Sequence, residues 1–132
     1  MRILLIEDDP FFQKFYTFKL RENKFDVESA IDGVIGMQLV KQNRPDLILL
    51  DLIMPNKDGF EVLRELGADA GLKTIPVLVF STLSQEQDVV KAKQLGAIDY
   101  ANKSFFDFET LLAKIQAILA QNQNPPPQKI VS

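Results

Sequence analysis

The sequence predicts an α/β fold, a doubly wound five-stranded parallel sheet built as (βα)5. Three observations carry this expectation. Short apolar runs alternate with longer segments of helical period, the pattern of βαβ units. Three of those runs are continuously apolar rather than alternating, as suits central strands covered by helices on both faces. A chain of 132 residues that is 46% hydrophobic also lies within the range of one domain with one compact core.

The first strand is expected at residues 3–6. Asp9-Pro10 then supplies an N-cap followed by proline at the first helical position, opening a helix over 10–22. Residues 25–29 alternate and read as an edge strand, followed by a helix over 33–43. The third strand falls at 46–50 with a helix at 58–68, and the fourth at 77–80 with a helix at 84–94. Leu95-Gly96-Ala97 stops that helix, leaving a short fifth strand at 98–101 and a last helix at 107–121. Residues 121–128 read QNQNPPPQ, which cannot stay helical beyond Pro125 and buries nothing. The domain is therefore expected over 1–121, with 122–132 a polar, proline-rich tail or the start of a linker.

Composition narrows the chemistry. The chain has no Cys and no His, which excludes disulfides, thiolate metal sites, a histidine base and phosphohistidine chemistry within the chain. A net charge of −3 argues against direct nucleic-acid binding. The first apolar run is too short for a signal peptide or a membrane span, so a cytoplasmic protein without membrane contact is expected.

Open sheets of this kind bind ligands beyond the carboxyl ends of their strands. There the sequence places Glu7-Asp8 after the first strand, Asp51 after the third, Ser81-Thr82 after the fourth and Lys103 after the fifth. Singly, each has a plain explanation: Asp51 as a loop carboxylate, Ser81 as a turn residue, Lys103 as a solvated charge, and Asp9 as a helix cap. Together they converge on one crevice. Carboxylates within about 4 to 6 Å repel by roughly 1 to 4 kcal/mol per pair and call for a cation. Mg²⁺ fits, because few protein ligands leave room for water and a phosphate oxygen. A carboxylate nucleophile, a metal clamp, a lysine and a hydroxyl donor are the apparatus of in-line phosphoryl transfer.

These residues carry a specific resemblance. Ile3-Leu4-Leu5-Ile6-Glu7-Asp8-Asp9, Asp51-Leu52-Ile53-Met54-Pro55-Asn56-Lys57-Asp58-Gly59, Pro76-Val77-Leu78-Val79-Phe80-Ser81 and Leu95-Gly96-Ala97-Ile98-Asp99-Tyr100-Ala101-Asn102-Lys103 resemble the receiver domain of two-component response regulators over residues 2–121. The resemblance implies the flavodoxin-like strand order 2-1-3-4-5, with Asp51 as phosphoacceptor. It puts the metal on Glu7, Asp8, Asp51 and the backbone carbonyl of Ile53. Ser81 takes the part of the switch hydroxyl, Tyr100 of the switch aromatic and Lys103 of the phosphate-binding lysine. Ile53 and Leu83 stand where the family sets its dephosphorylation rate, and both being apolar predicts a slow loss of phosphate. The phosphodonor would be a histidine kinase or a histidine phosphotransfer protein. The reader of the signal would be an unknown downstream protein or a fused output domain, through the fourth helix, fifth strand and fifth helix.

Two further expectations concern single positions. Ser104 stands where the family usually has proline, so the Lys103–Ser104 bond is expected to be trans and Lys103 to turn away from Asp51 until metal and phosphate arrive. In the first helix, Phe12, Phe15 and Tyr16 fall on the stripe facing the sheet, with Phe11 and Phe18 at its edge. Phe18, and with it Phe11, is expected to be partly exposed and to help dock a helical phosphodonor.

Other readings account for the chain less well. A flavodoxin-like electron carrier needs backbone amides after the first strand to hold a phosphate, which Glu7-Asp8-Asp9 would repel. An aspartyl-phosphate hydrolase would carry its nucleophile after the first strand, and Asp8-Asp9-Pro10 has the wrong spacing. A receiver-like interaction module that works without phosphorylation stays open.

Overall fold

A computed structural model describes residues 1–83, 85–104 and 107–123, with the side chains of 122 and 123 left out. Strands and helices alternate throughout: β1 Arg2–Ile6, α1 Pro10–Glu22, β2 Asp26–Ala30, α2 Gly33–Gln42, β3 Leu47–Leu50, α3 Gly59–Gly67, β4 Val77–Ser81, α4 Glu86–Gln94, β5 Asp99–Asn102 and α5 Phe108–Gln123. The five strands form one sheet in the order β2-β1-β3-β4-β5, and every neighbouring pair is parallel. This is the expected doubly wound (βα)5 sheet. Its alternating strand, β2, does lie at an edge.

The continuous apolar runs become the buried middle of the sheet because successive side chains on a strand point to opposite faces. Leu4, Ile6, Ile48, Leu50, Val77 and Val79 pack on one side against Met37 and Val40 of α2, Val62, Leu63 and Leu66 of α3 and Ala92 of α4. Ile3, Leu5, Leu47, Leu49, Leu78 and Phe80 pack on the other against Tyr16 and Leu20 of α1 and Leu111, Ile115, Ile118 and Leu119 of α5. Each such side chain contributes roughly 1.5 to 3 kcal/mol by leaving water, and the two layers hold all five helices in place.

Helix starts follow local chemistry. Asp9 accepts from the N–H groups of Phe11 and Phe12 at 2.8 and 3.3 Å, with Pro10 opening α1. Asp58 and Glu61 form a capping box at α3. Gly59 is required there: a Cβ would stand 2.7 Å from the Leu52 Cα, so only glycine lets α3 begin this close to the end of β3.

Two expectations change, and one lies outside the described residues. Helix α5 runs through Gln123, two residues past the expected end at 121, because no helix breaker stands before Pro125. The expected start of the fourth helix at Ser84 and most of the expected tail lie outside the described residues. Phe15 does not face the sheet. It is 41% exposed and stacks on Phe11 at 6.4 Å, because residues 11, 15 and 18 form their own i, i+4, i+7 stripe on the outer face of α1.

Candidate functional site

The strand register sets the site. Ile6 pairs with Ala30 on one side and Leu50 on the other, and Leu50 pairs with Val79. The next residues extend the ladder: the Glu7 N–H donates to the Ala30 carbonyl and the Asp51 N–H to the Ile6 carbonyl, both at 3.0 Å. Glu7 and Asp51 thus stand side by side just beyond β1 and β3. Gln13 of α1 braces this end by donating its amide to the carbonyls of Glu7 at 3.0 Å and Ala30 at 3.2 Å. Across the sheet the Lys103 N–H donates to the Ser81 carbonyl at 2.9 Å, which brings the lysine past the end of β5 toward the same place.

A crevice of about 440 Å³ opens there, lined by Glu7, Asp8, Asp9, Phe12, Asp51, Ile53, Thr82 and Lys103 among others. Carboxylate oxygens of Glu7, Asp8 and Asp51 lie within 4.8 Å of one another. Glu7 and Asp51 are buried, whereas Asp8 is exposed. Three hard oxygen donors at this spacing, with one side open to water, suit a small divalent cation that keeps part of its water shell. The donor set fits Mg²⁺.

Asp51 is held on both oxygens. Its Oδ1 accepts from the N–H groups of Leu52 at 2.8 Å and Ile53 at 3.4 Å, while Oδ2 faces the Lys103 ammonium at 3.3 Å. Lys103 also pairs with Glu7 Oε1, and Glu7 Oε2 accepts from the Asp9 N–H at 3.0 Å. Burial pushes the Glu7 carboxyl above its ordinary pKa, and the Asp51 charge adds to this while Lys103 and the Asp9 N–H oppose it.

The position of Lys103 corrects the sequence expectation. No peptide bond is cis among the described residues, so the bond to Ser104 is trans as expected. Yet Lys103 turns into the crevice rather than away from Asp51, because two buried carboxylates attract its ammonium more strongly than open solvent does.

Ser81 is fully buried, and its Oγ accepts from the Leu83 N–H at 3.3 Å; it is Thr82, next in the chain, that lines the crevice. The Tyr100 hydroxyl donates to the Leu83 carbonyl, and its ring is half-buried against the core. Burial, then the Asp88 charge, pushes the Tyr100 phenol up to about 12 against a hydrogen bond to Ser81. Of the two apolar residues singled out beside the crevice, only Ile53 lines it. Leu83 packs against the core instead.

Sequence reasoning missed two arrangements. Phe12 sits with its ring centroid 4.5 Å from the Lys103 ammonium. The available signal was its place as third residue of a helix that starts beside the acid pair, since helix side chains lean toward the N-terminus. The other is a tie between loops: Asp32 caps α2 through the Ile35 N–H at 2.9 Å and accepts from the Asn56 amide at 2.7 Å. Asn56 has a φ of 68° within the segment that carries Ile53 to α3.

Known proteins resemble this chain in sequence and in fold. A family model described as the response regulator receiver domain matches residues 3–116. The DNA-binding dual master transcriptional regulator RpaA of Synechocystis sp. is 41% identical over 125 residues, 95% of this chain and 52% of that protein. Protein PilH of Pseudomonas aeruginosa is 40% identical over 119 residues, 90% of this chain and 98% of that one. The chain thus spans about half the length of RpaA and nearly all of PilH. Among solved structures, the BeF3-activated receiver domain of Klebsiella pneumoniae RstA matches with a TM-score of 0.85 at 27% identity, covering 92% of this chain and 100% of that one. The chemotaxis protein CheY4 of Vibrio cholerae matches at 0.83 and 26%, covering 89% and 97%.

Proposed function

The chain belongs to the response regulator receiver family, whose members are signalling modules, and from that premise we propose that it is a phosphorylation-dependent switch with Asp51 as acceptor. The observation that carries this reading is the placement of Asp51 in the crevice, one oxygen 3.3 Å from the Lys103 ammonium and its carboxylate grouped with Glu7 and Asp8. The donor is a phosphohistidine on a histidine kinase or histidine phosphotransfer protein. An Asp51 oxygen attacks phosphorus in line, the P–O bond forms as the P–N bond breaks, and the electron pair leaves with the imidazole nitrogen.

The Leu52 and Ile53 N–H groups fix the Asp51 rotamer before the donor arrives. Glu7, Asp8, Asp51 and the Ile53 carbonyl would hold Mg²⁺, which when bound neutralises charge on the transferring phosphoryl group. Lys103 has three N–H donors, so with one toward each of Glu7 and Asp51 a third remains for a phosphoryl oxygen.

The output follows from the Leu83 backbone, whose N–H donates to Ser81 and whose carbonyl accepts from Tyr100. A phosphoryl group that draws the Ser81 hydroxyl toward Asp51 releases the Leu83 N–H, and the change reaches Tyr100 and the surface of α4, β5 and α5. A downstream protein or a fused output domain reads that surface. On α1, Phe11 is 72% and Phe18 60% exposed, with Phe15 between them. This apolar stripe starts beside the crevice and receives a helix of the phosphodonor.

The test is intact mass after incubation with Mg²⁺ and a small phosphodonor. The wild type gains one phosphoryl group and Asp51→Asn gains none; an unmodified wild type favours a module that works without phosphorylation. In Phe18→Ala, transfer from a phosphorylated protein donor slows while labelling by the small donor does not; equal rates from the protein donor would remove α1 from the docking surface.

A further inference from the structure

We propose that Phe12 is a positioning residue for Lys103, its ring holding the ammonium over the crevice while leaving one N–H free for an incoming phosphoryl oxygen. The inference rests on the phosphotransfer reading of the site.

The Lys103 ammonium is 4.5 Å from the Phe12 centroid and 6.0 Å from that of Phe80. It therefore lies between two carboxylates and two rings. The carboxylates each claim a donor, whereas a ring face attracts the charge through its quadrupole and leaves the direction of the N–H bonds loosely set. An aliphatic side chain at position 12 would fill space but offer no such attraction.

The ring is itself held in place. Phe12 stacks on Tyr16 at 5.9 Å with 7° between planes, and Tyr16 meets Phe80 edge-on at 5.1 Å and 87°. Asp9 accepts from the Phe12 N–H at 3.3 Å, which ties the start of α1 to the acid pair. Phe12 also lines the crevice, so part of the ring faces the reacting space rather than the core.

The experiment measures the maximal rate of phosphorylation by a small phosphodonor at saturating Mg²⁺, with Mg²⁺ affinity determined separately by calorimetry. Phe12→Leu lowers the maximal rate by roughly three- to thirtyfold, the range of a partly desolvated cation–π contact, and leaves Mg²⁺ affinity unchanged. Phe12→Tyr keeps the ring and restores the rate. In a Lys103→Met background the leucine substitution has no further effect, because its partner is gone. A wild-type rate in Phe12→Leu overturns the inference while leaving the phosphotransfer reading intact, as does a tyrosine variant as slow as leucine or an undiminished effect without Lys103. No incorporation into the wild type overturns both.

Discussion

The two ends of the sheet use the same residue types to opposite purposes. At the amino end of the strands, Arg2 meets Asp26 at 3.5 Å with the aspartate side chain 70% exposed, and the Arg2 N–H donates to Asp46 at 2.7 Å. At the carboxyl end, Lys103 meets Glu7 and Asp51 with its own side chain 4% exposed. Water screens the first cluster, so its pair contributes little. The second is withdrawn from water, where an unpartnered charge is costly and every polar group must be answered by another. What separates them is burial rather than composition: α1 covers Lys103 with the Phe12 ring, whereas the Arg2 and Asp26 side chains stay largely in water.

The sharpest test of this contrast is Lys103→Ala. Leaving Glu7 and Asp51 buried without their cation should destabilise the metal-free protein by about 3 to 5 kcal/mol, read from urea unfolding. Added Mg²⁺ should recover part of the loss. A midpoint equal to wild type without Mg²⁺ would mean that the crevice is as well solvated as the opposite end.

Next in size, on the phosphotransfer reading, is the persistence of a phosphoryl group on Asp51. Ile53 lines the crevice and Leu83 packs against the core, and neither side chain can orient an attacking water. The Ile53→Asn, Leu83→Glu double variant should lose phosphate about tenfold faster, equivalent to about 1.4 kcal/mol off the barrier, in a decay followed by intact mass. Equal or slower loss would show that water access is set elsewhere. Because Leu83 is turned toward the core, Ile53→Asn alone should carry most of the effect.

A smaller effect is expected where the β3–α3 loop is tied to α2. Asp32→Ala removes the cap and the Asn56 contact together and should cost about 1 kcal/mol at neutral pH. Hydrogen bonds from the Ile35 N–H, then Asn56, hold the Asp32 carboxyl below its ordinary pKa. Its stabilisation is therefore complete above the unfolded-state pKa of about 4 and is lost as pH falls through the lower folded-state value. The difference between wild type and variant should shrink only in that acid window. A difference that stays constant there would assign the loss to packing. Smallest of all, Asp26→Ala should change stability by less than about 1 kcal/mol, and by less still in high salt. A loss comparable to that of Lys103→Ala would erase the distinction between the two ends.

The legible part of the site was its membership. Glu7, Asp8 and Asp51 follow apolar runs and Lys103 follows the short, mixed β5, and a parallel sheet brings the ends of its strands together whatever the helices do. The edge position of β2 was legible from its alternation. Local geometry was harder to read. A wide aromatic arc on one helix does not say which edge the sheet covers, so sequence alone does not separate the exposed Phe15 from the buried Tyr16. Ser81 and Thr82 are adjacent hydroxyls, and only the pleat at the end of β4 decides that the first is buried and the second lines the crevice.

The sequence by itself determined the order of strands and helices and the residue type standing at each strand end, because the periods of 2 and 3.6 and the positions of caps are written in local pattern. Tertiary structure alone decided where the long side chains point. Lys103 has many rotamers of similar intrinsic energy, and its direction is chosen by Glu7, Asp51 and Phe12. Those partners come from elements far apart in the chain, so no local window of sequence contains the interaction that settles it.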